Sequence, residues 1–290
     1  MSVVSKKVNE PVTTPESKEE RAHVSSRRRR RVLVYVLRIA LFIVIFGGWE
    51  LGSRAKVIDP FFWGEPSGIV AQIITWVTQG TAQGPLLVQI LATLEEAVIG
   101  FVIGVVLGVI FGVILGSSKF LSDILGPYIK AANSIPRVVL GSVFAIGLGL
   151  GIQSKIALAV VLVFFIVFFN AFQGVREADR NLMANARILG ASRIQLITQV
   201  TIPSALIWIT ASLHTSFSFA LVGAVVGEYV GATQGLGLLI QNAQSLFNIN
   251  GVFAVMVILA VVALIAEALI TTLERRLISW RPNTVNDATL

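Results

Sequence analysis

Long apolar segments are the feature that most constrains the fold of this chain. The hydrocarbon core of a lipid bilayer is about 30 Å thick, and an α-helix needs about 20 apolar residues to cross it. Six segments rich in Leu, Ile, Val, Ala and Gly have a suitable length. They are residues 32–51, 91–115, 128–148, 156–172, 205–227 and 252–273. The sequence therefore predicts an all-α transmembrane protein, a polytopic bundle of six helices, over residues 32–281.

Composition supports a membrane protein and excludes several other classes. Of the 290 residues, 55% are hydrophobic and only 13% are charged, which is too few polar groups to cover a water-soluble domain. The chain has no cysteine and two histidines, His23 and His214, so we expect no disulfide and no metal site. The residues suggest no other bound cofactor.

Basic residues indicate the orientation in the membrane. Nine of the 23 lysines and arginines fall within residues 1–31, and five consecutive arginines at 27–31 directly precede the first apolar segment. Since basic residues accumulate on the cytoplasmic side, both termini are predicted to be cytoplasmic. Residues 1–31 are predicted to be a disordered tail and residues 282–290 a short C-terminal tail. A basic cluster at the bilayer indicates contact with lipid headgroups, and we expect no nucleic-acid binding.

Glycines recur every fourth residue in the second predicted span. They are Gly100, Gly104, Gly108, Gly112 and Gly116. On a helix this spacing produces a ridge without side chains, where a second helix can approach closely. The pattern predicts a tight helix-packing seam, either within one subunit or between two copies, and it indicates architecture rather than chemistry.

A polar stretch at residues 174–204 interrupts the apolar pattern on the predicted cytoplasmic side. Leu182, Ala186 and Leu189 recur at helical spacing, Gly190 ends that pattern, and Ser192 is a suitable cap for a second short helix that ends before Pro203. Two short helices with exposed apolar residues predict a docking surface for another protein. The alternative is a solvated connecting loop.

Polar residues within the spans are candidates for a translocation pathway. The fifth span carries Thr210, His214 and Ser218 on one helix face. The alternative for that row is hydrogen bonding between helices or back to its own helix. Further candidates are Asn133, Ser134 and Arg137, which flank Pro136, and Asn170 near the end of the fourth span.

Two alternatives concern the charged residues of the spans. Arg137 can reach a substrate at a helix break, or it can extend to the cytoplasmic interface beside Lys130. Glu95, Glu96 and Glu228 lie near the predicted ends of spans, where we expect them to be solvated or ion-paired. The chain has no phosphate-binding loop and no visible pairing of a nucleophile with a base, so we expect no catalysis by this chain.

The stretch ANARILGASRIQLITQVTIP resembles the "EAA" loop of permease subunits of bacterial ATP-binding-cassette importers. The pattern of that loop is Glu-Ala-Ala, three residues, Gly, nine residues, Ile, one residue, Leu-Pro. It falls here on Ala184, Asn185, Ala186, Gly190, Val200, Ile202 and Pro203. Ala184 stands where the family has glutamate, so the resemblance implies docking geometry but no salt bridge from that position.

Further pieces resemble the nitrate, taurine and aliphatic-sulfonate branch of these permeases. They are ATLEEAVIGFVIGVVLGVIFGVILG, SIPRVVLGSVFAIGLGLGIQSK, GASRIQL, GEYVGATQGLGLLI and LERRLISW, which together cover about residues 85–281. The resemblance implies the type I importer permease fold in the bacterial inner membrane. It also implies that the loop contacts an ATPase through Leu182, Ala184, Asn185, Ala186, Arg187, Leu189, Gly190, Ala191, Ser192 and Pro203.

The resemblance implies partners as well. They are a second permease copy in a homodimer, two cytoplasmic ATPase subunits that use ATP and Mg, and a periplasmic or lipid-anchored solute-binding protein that delivers a small, anionic solute. Two other classes remain open from the residues alone. A stand-alone secondary transporter or channel would use the same spans, and a scaffold protein would leave the polar row and the docking loop without a shared purpose.

Overall fold

The computed structural model describes residues 15–177 and 180–277, and within these ranges the regular structure is helical. The chain divides into two compact units, one ending at Ser67 and one beginning at Gly68. The predicted C-terminal tail, residues 282–290, lies outside the described residues. Residues 1–14 of the predicted N-terminal tail do so as well.

The first unit contains α1 (Pro15–Arg54) and α2 (Pro60–Trp63). Helix α1 includes an apolar span, Val32–Arg54, but it begins well before the predicted start of that span. Residues 15–31 were predicted to be disordered, and the structure instead continues the helix through them. The physical reason is that Glu, Lys, Arg and Ala are good helix formers, so the helix of the span extends into this polar segment.

The connection after α1 is held by side chains of the same unit. The Ser53 hydroxyl donates to the carbonyl of Gly64 (2.9 Å), and Glu50 accepts from the backbone N–H of Ser67 (3.0 Å). Asp59 caps α2 by accepting from the N–H of Phe61 at 2.9 Å. These bonds shape the loop that follows the first span.

The remaining helices lie in the second unit, apart from the first two residues of α3. They are α3 (Pro66–Thr78), α4 (Leu86–Ser117), α5 (Lys119–Ser134), α6 (Leu140–Leu148), α7 (Ile152–Arg176), α8 (Arg180–Ile188), α9 (Arg193–Leu196), α10 (Ile202–Val230), α11 (Leu236–Ser245) and α12 (Ile249–Leu277). A 3₁₀ turn at Arg137–Val139 precedes α6, and a π-helical turn at Ile197–Thr201 joins α9 to α10. The hydrophobic core is formed mainly by α4, α7, α10, α11 and α12.

Helices α4 and α7 pack along the glycine ridge. A Cβ atom added at Gly104 would lie 2.7 Å from the Cβ of Val163, and one added at Gly112 would lie 2.7 Å from the Cβ of Ala171. The neighbours of the ridge therefore advance by four residues along α7, as the glycines do along α4. They are Ala159, Val163, Val167, Ala171 and Val175. The seam that the spacing predicted thus lies within the subunit.

The third predicted span, residues 128–148, is broken beside Pro136, where the sequence analysis had placed a helix break as one alternative. The two parts, Lys119–Ser134 and Arg137–Leu148, meet at an angle of 73°. Pro136 has no backbone N–H and disfavours a helical conformation in the preceding residue, Ile135, whose ψ is 131°. These two residues separate the helices.

The other spans occupy longer helices than the apolar segments that predicted them. These helices are Leu86–Ser117, Ile152–Arg176, Ile194–Val230 and Ile249–Thr272. The difference has a simple cause, because apolar residues mark only the part of a helix inside the hydrocarbon. Polar turns at either end continue the same hydrogen-bond pattern into the headgroup region.

Candidate coupling loop and translocation pathway

The loop begins with α8, and the backbone conformation of Gly190 ends that helix. Its φ of +85° is a left-handed conformation that glycine adopts without steric cost. The N–H of Ala191 donates to the carbonyl of Ala186, and the N–H of Gly190 donates to that of Arg187, both at 3.0 Å. These are the bonds of a glycine C-cap, which satisfies carbonyls at the end of the helix.

A reciprocal cap starts the second helix of the loop. The backbone N–H of Ser192 donates to the side chain of Gln195 (2.8 Å), and the N–H of Gln195 donates to the Ser192 hydroxyl (3.3 Å). This is the capping-box arrangement. The sequence also predicted that this helix ends before Pro203, and α9 does end at Leu196, although the helical path does not stop there.

Helix α9 continues through the π-helical turn into α10, so that Ile194–Val230 forms one long helical segment. Proline 203 lies in the first turn of α10, where its missing N–H is tolerated. The N–H of Ile202 reaches back five residues to Ile197, and this wider turn accommodates the proline. The loop is therefore a direct extension of the fifth span.

Three large apolar side chains form the docking surface, as we name it here: Ile188, Leu189 and Ile194. They are 83%, 87% and 74% exposed. Ala184, Asn185, Arg187 and Ser192 are exposed around them, whereas Ala186 and Ala191 are half-buried. Leu182 lies in α8, but its side chain is outside the described part of the chain, as are residues 178–179.

The two ends of the loop are packed against each other. A Cβ atom added at Gly174, near the end of α7, would lie 2.9 Å from the Cα of Ala205 and 3.0 Å from the Cβ of Trp208 in α10. Val175 and Ala205 are buried at this contact. The helices that enter and leave the loop, α7 and α10, are therefore in direct contact.

The polar residues on one face of the fifth span lie in different environments. Thr210 is 5% exposed, and its hydroxyl bonds back to the carbonyls of Leu206 (2.7 Å) and Ile207 (3.2 Å). Ser218 makes only a long contact with the carbonyl of His214 (3.5 Å). The structure therefore does not bring Thr210 and Ser218 together around a shared site.

His214 links α10 to α12. Its Nε2 lies 3.0 Å from Oε2 of Glu274, in hydrogen-bond geometry. Its Nδ1 lies 2.6 Å from Oε1 of Glu267 but is not aligned for a hydrogen bond. The two carboxyl partners are seven residues apart on α12 and were not anticipated from the sequence.

The break in the third span brings Arg137 and Asn133 together. The Arg137 guanidinium donates to Oδ1 of Asn133 and lies over the ring of Phe165 in α7, 4.7 Å from its centroid. Ser134 bonds to the carbonyl of Lys130, and Asn170 bonds to the carbonyl of Ile166 in its own helix, both at 2.9 Å. Of this group, only Arg137 and Asn133 share a contact.

A buried polar cluster at the predicted external end of the spans contradicts one expectation. Glu228 is fully buried and Glu96 is 6% exposed, whereas both were expected to be solvated or ion-paired at an interface. Glu228 accepts from the Thr93 hydroxyl (2.7 Å) and from the N–H of Gly237 (2.6 Å). These donors replace water around the carboxyl group. Glu95, by contrast, is exposed.

The same cluster holds the start of α11 against α4. Gln89 accepts from the N–H of Gly235 (2.8 Å), and Thr93 accepts from the N–H of Leu236 (2.9 Å). Gly235 has a φ of +117°, and a Cβ atom there would collide with the Glu228 carboxyl group. The first backbone N–H groups of α11 are thus satisfied by side chains from other helices.

Lys155 completes this region. It is 2% exposed, and its ammonium group donates to the carbonyls of Leu150 and Gly151 in the preceding turn. It is also close enough to Glu96 and Glu228 for their charges to interact. Neither Gln89 nor Thr93 was among the residues that the sequence pattern singled out. In the sequence, the feature that could have indicated this buried cluster was the carboxyl residue Glu228 closely followed by Gly235 and Gly237.

Among residues 15–177 and 180–277, no three His, Asp or Glu side chains are grouped as metal ligands would be. The polar groups described above mostly bond to backbone atoms or join one helix to another.

Comparisons with known proteins agree with this picture. Residues 104–279 match the family described as "Binding-protein-dependent transport system inner membrane component". The riboflavin transport system permease of Chloroflexus aurantiacus is 35% identical over 83% of this chain and 87% of its own length. The putative aliphatic sulfonates permease of Bacillus subtilis is 30% identical over 82% and 85%, and the taurine permease of Escherichia coli is 28% identical over 84% and 89%.

A solved structure supports the fold. The crystal structure of an amino acid ABC transporter with histidines matches with a TM-score of 0.55 at 18% identity, over 71% of this chain and 94% of the matched chain. The chain therefore belongs to the family of binding-protein-dependent transport system inner membrane components, and it is a multi-pass permease subunit of an ABC importer rather than an enzyme or a stand-alone transporter.

Proposed function

We propose that residues 176–203 are the segment through which cytoplasmic ATPase subunits drive this permease. The observation that carries the proposal is the docking surface, whose three apolar side chains are exposed on an otherwise capped and anchored loop. Exposed apolar side chains on a helical face are typical of a protein interface. The loop continues directly into α10, so movement of a docked ATPase would move the fifth span.

We propose further that two copies of the chain form the translocation pathway and that a solute-binding protein delivers the solute from outside. ATP and Mg are used by the ATPase subunits, since this chain has no phosphate-binding loop. Binding of ATP favours one packing of the helices and hydrolysis restores the other. The family's dependence on binding proteins supports this division of roles.

The solute is proposed to be a small organic molecule with an anionic group. Two relatives are named for aliphatic sulfonates and taurine, and the Arg137 cation lies at the break in the third span. A guanidinium group there can stabilise a passing anion. Competition for uptake between sulfonates and neutral analogues of matched size tests this part.

Co-purification with the ATPase encoded beside this permease tests the docking proposal. Leu189→Glu places a charge on the docking surface without disturbing buried contacts, and we expect it to abolish stoichiometric association. Gln199→Glu is the matched control, because Gln199 is exposed in the same segment but outside the docking surface. Equal association of wild type and Leu189→Glu would contradict the assignment.

A further inference from the structure

A groove between α5 and α7 is not used by the function proposed above. It has a volume of about 530 Å³ and lies where α4 and α7 both end on the cytoplasmic side. Phe168, Phe169 and Phe172 of α7 form an aromatic wall. Its volume falls in the range of small-molecule sites in proteins.

Helix α5 forms the other wall, and its sequence explains the gap. Gly126 has no side chain, and a Cβ atom added there would meet nothing within 4 Å. Pro127, inside the helix, has no N–H to donate to the carbonyl of Asp123. The groove is therefore a notch in α5, and no neighbouring side chain lies close enough to Gly126 to fill it.

The polar groups of the groove carry a net positive charge. Lys130 and Arg176 line it, together with one carboxylate, Asp123, and the Ser122 hydroxyl. Among the described residues, neither Lys130 nor Arg176 takes part in an ion pair. Arg176 lies over the Phe172 ring, 4.7 Å from its centroid, which holds the guanidinium at the edge of the aromatic wall.

This combination identifies the class of ligand. An aromatic and apolar surface favours hydrocarbon, and two unpaired cations at its rim favour an anionic group such as phosphate. At the cytoplasmic end of a span, both chemistries meet where acyl chains join headgroups. We propose that the groove binds a phospholipid with an anionic headgroup, its phosphate near Lys130 and Arg176 and an acyl chain along the phenylalanines.

A lipid bound in this groove affects coupling because the groove lies next to the proposed coupling loop. Arg176 is the last residue of α7, and the proposed coupling loop begins there. Two residues earlier, Gly174 packs against Ala205 of α10. A lipid bound to Arg176 therefore holds the base of the loop, and this consequence rests on the proposed function of the loop.

Lipid retention tests the binding itself without any ATPase present. The permease is reconstituted in nanodiscs of phosphatidylcholine with one-fifth phosphatidylglycerol, released into mild detergent, and examined by native mass spectrometry. We expect wild type to retain phosphatidylglycerol over phosphatidylcholine. The Lys130→Gln, Arg176→Gln double variant and the Gly126→Leu variant, which fills the notch, should each lose at least five-fold of this retention.

Two matched controls should behave as wild type. Lys119→Gln removes a cytoplasmic cation that does not line the groove, and Gly147→Leu fills open space beside a glycine of α6. Equal retention in all variants would overturn the proposal. Because the chain lacks cysteine, a Ser122→Cys variant that forms a disulfide between two permease copies would overturn it too, by showing that a second copy covers the groove.

The functional consequence has a separate measurement. In nanodiscs with the ATPase bound, phosphatidylglycerol should raise ATP hydrolysis by the wild-type complex at least two-fold over phosphatidylcholine alone, and Gly126→Leu should remove this increase. Lipid retention without the increase would contradict the effect on coupling. Failure of the ATPase to associate would contradict the proposed role of the loop. Whether the groove binds lipid would then be decided by the retention measurement alone.

Discussion

The hydroxyl of Thr93 in α4 donates a hydrogen bond of 2.7 Å to the carboxyl group of Glu228 at the end of α10, although the two residues are 135 positions apart in the chain. The same threonine accepts the N–H of Leu236, and Glu228 accepts that of Gly237. Two side chains thus attach the first turn of α11 to both α4 and α10. Buried polar groups are held in this way when water cannot reach them.

Removing the Glu228 carboxyl group should therefore destabilise the protein strongly. Glu228→Ala leaves the Gly237 N–H buried without its acceptor and leaves the Thr93 hydroxyl with the longer bond to the carbonyl of Gln89 (3.2 Å), and we expect a loss of about 2–4 kcal/mol in the free energy of unfolding. Chemical denaturation in detergent micelles measures this loss. Glu95→Ala, an exposed neighbour on α4, should change the free energy by less than about 0.5 kcal/mol. A similar effect of both substitutions would show that the bonds to Glu228 are not important for stability.

The close packing at the glycine ridge predicts that even one added methyl group does not fit between α4 and α7. In Gly104→Ala the new Cβ would lie 2.7 Å from the Cβ of Val163 and 3.0 Å from the carbonyl oxygen of Val160, so α4 and α7 must separate. We expect unfolding to become easier by about 1–3 kcal/mol.

Gly47→Ala is the control for this change, since a Cβ atom added at Gly47 meets nothing within 4 Å. Thermal denaturation monitored by circular dichroism compares the two variants. If Gly104→Ala were as stable as Gly47→Ala, close packing at the ridge would be excluded.

His214 should contribute to the attachment of α12 through its two carboxyl partners. Glu274 has further contacts besides His214, so single substitutions cannot isolate this pair. A double-mutant cycle of His214→Ala and Glu274→Ala removes the other contributions. We expect a coupling energy of about 0.5–1 kcal/mol, because both side chains are partly exposed. Strict additivity of the two substitutions would contradict the contact.

We expect Gly190 to be essential for coupling ATP hydrolysis to transport. Its backbone conformation is left-handed, and it lies beside the docking surface. Gly190→Asp puts a charge beside the docking surface at a φ of +85°, and we expect loss of transport that depends on ATP hydrolysis. Asparagine tolerates this conformation and carries no charge, so Gly190→Asn should retain part of the activity. Uptake by proteoliposomes that contain the complex measures both variants. Normal coupled transport by Gly190→Asp would argue against docking at this loop.

Local patterns in the sequence predicted features that depend on neighbours within a few turns. Ser192 caps the helix that directly follows it, and the regular spacing of glycines such as Gly104 made a close helix approach foreseeable. The break near Pro136 follows from the missing N–H of proline, although its angle of 73° does not.

Contacts between distant segments were not predictable in the same way. The sequence could not show that Glu228 meets Thr93, that His214 meets two carboxyl groups of α12, or that Lys155 is buried among backbone carbonyls. Each of these residues reads as an ordinary polar group near the end of a span or on one face of a helix. Its environment depends on which helices pack beside it.

The sequence by itself determined that this chain crosses a membrane several times, and it predicted a capped polar loop on the cytoplasmic side. These properties follow from hydrophobicity, charge and hydrogen bonding over short stretches. Only the tertiary structure decided that the glycine ridge joins α4 to α7 within one subunit and that the two ends of the loop meet at Gly174 and Ala205. The physical reason is that close packing depends on the shapes of two surfaces at once, and a single segment specifies only one of them.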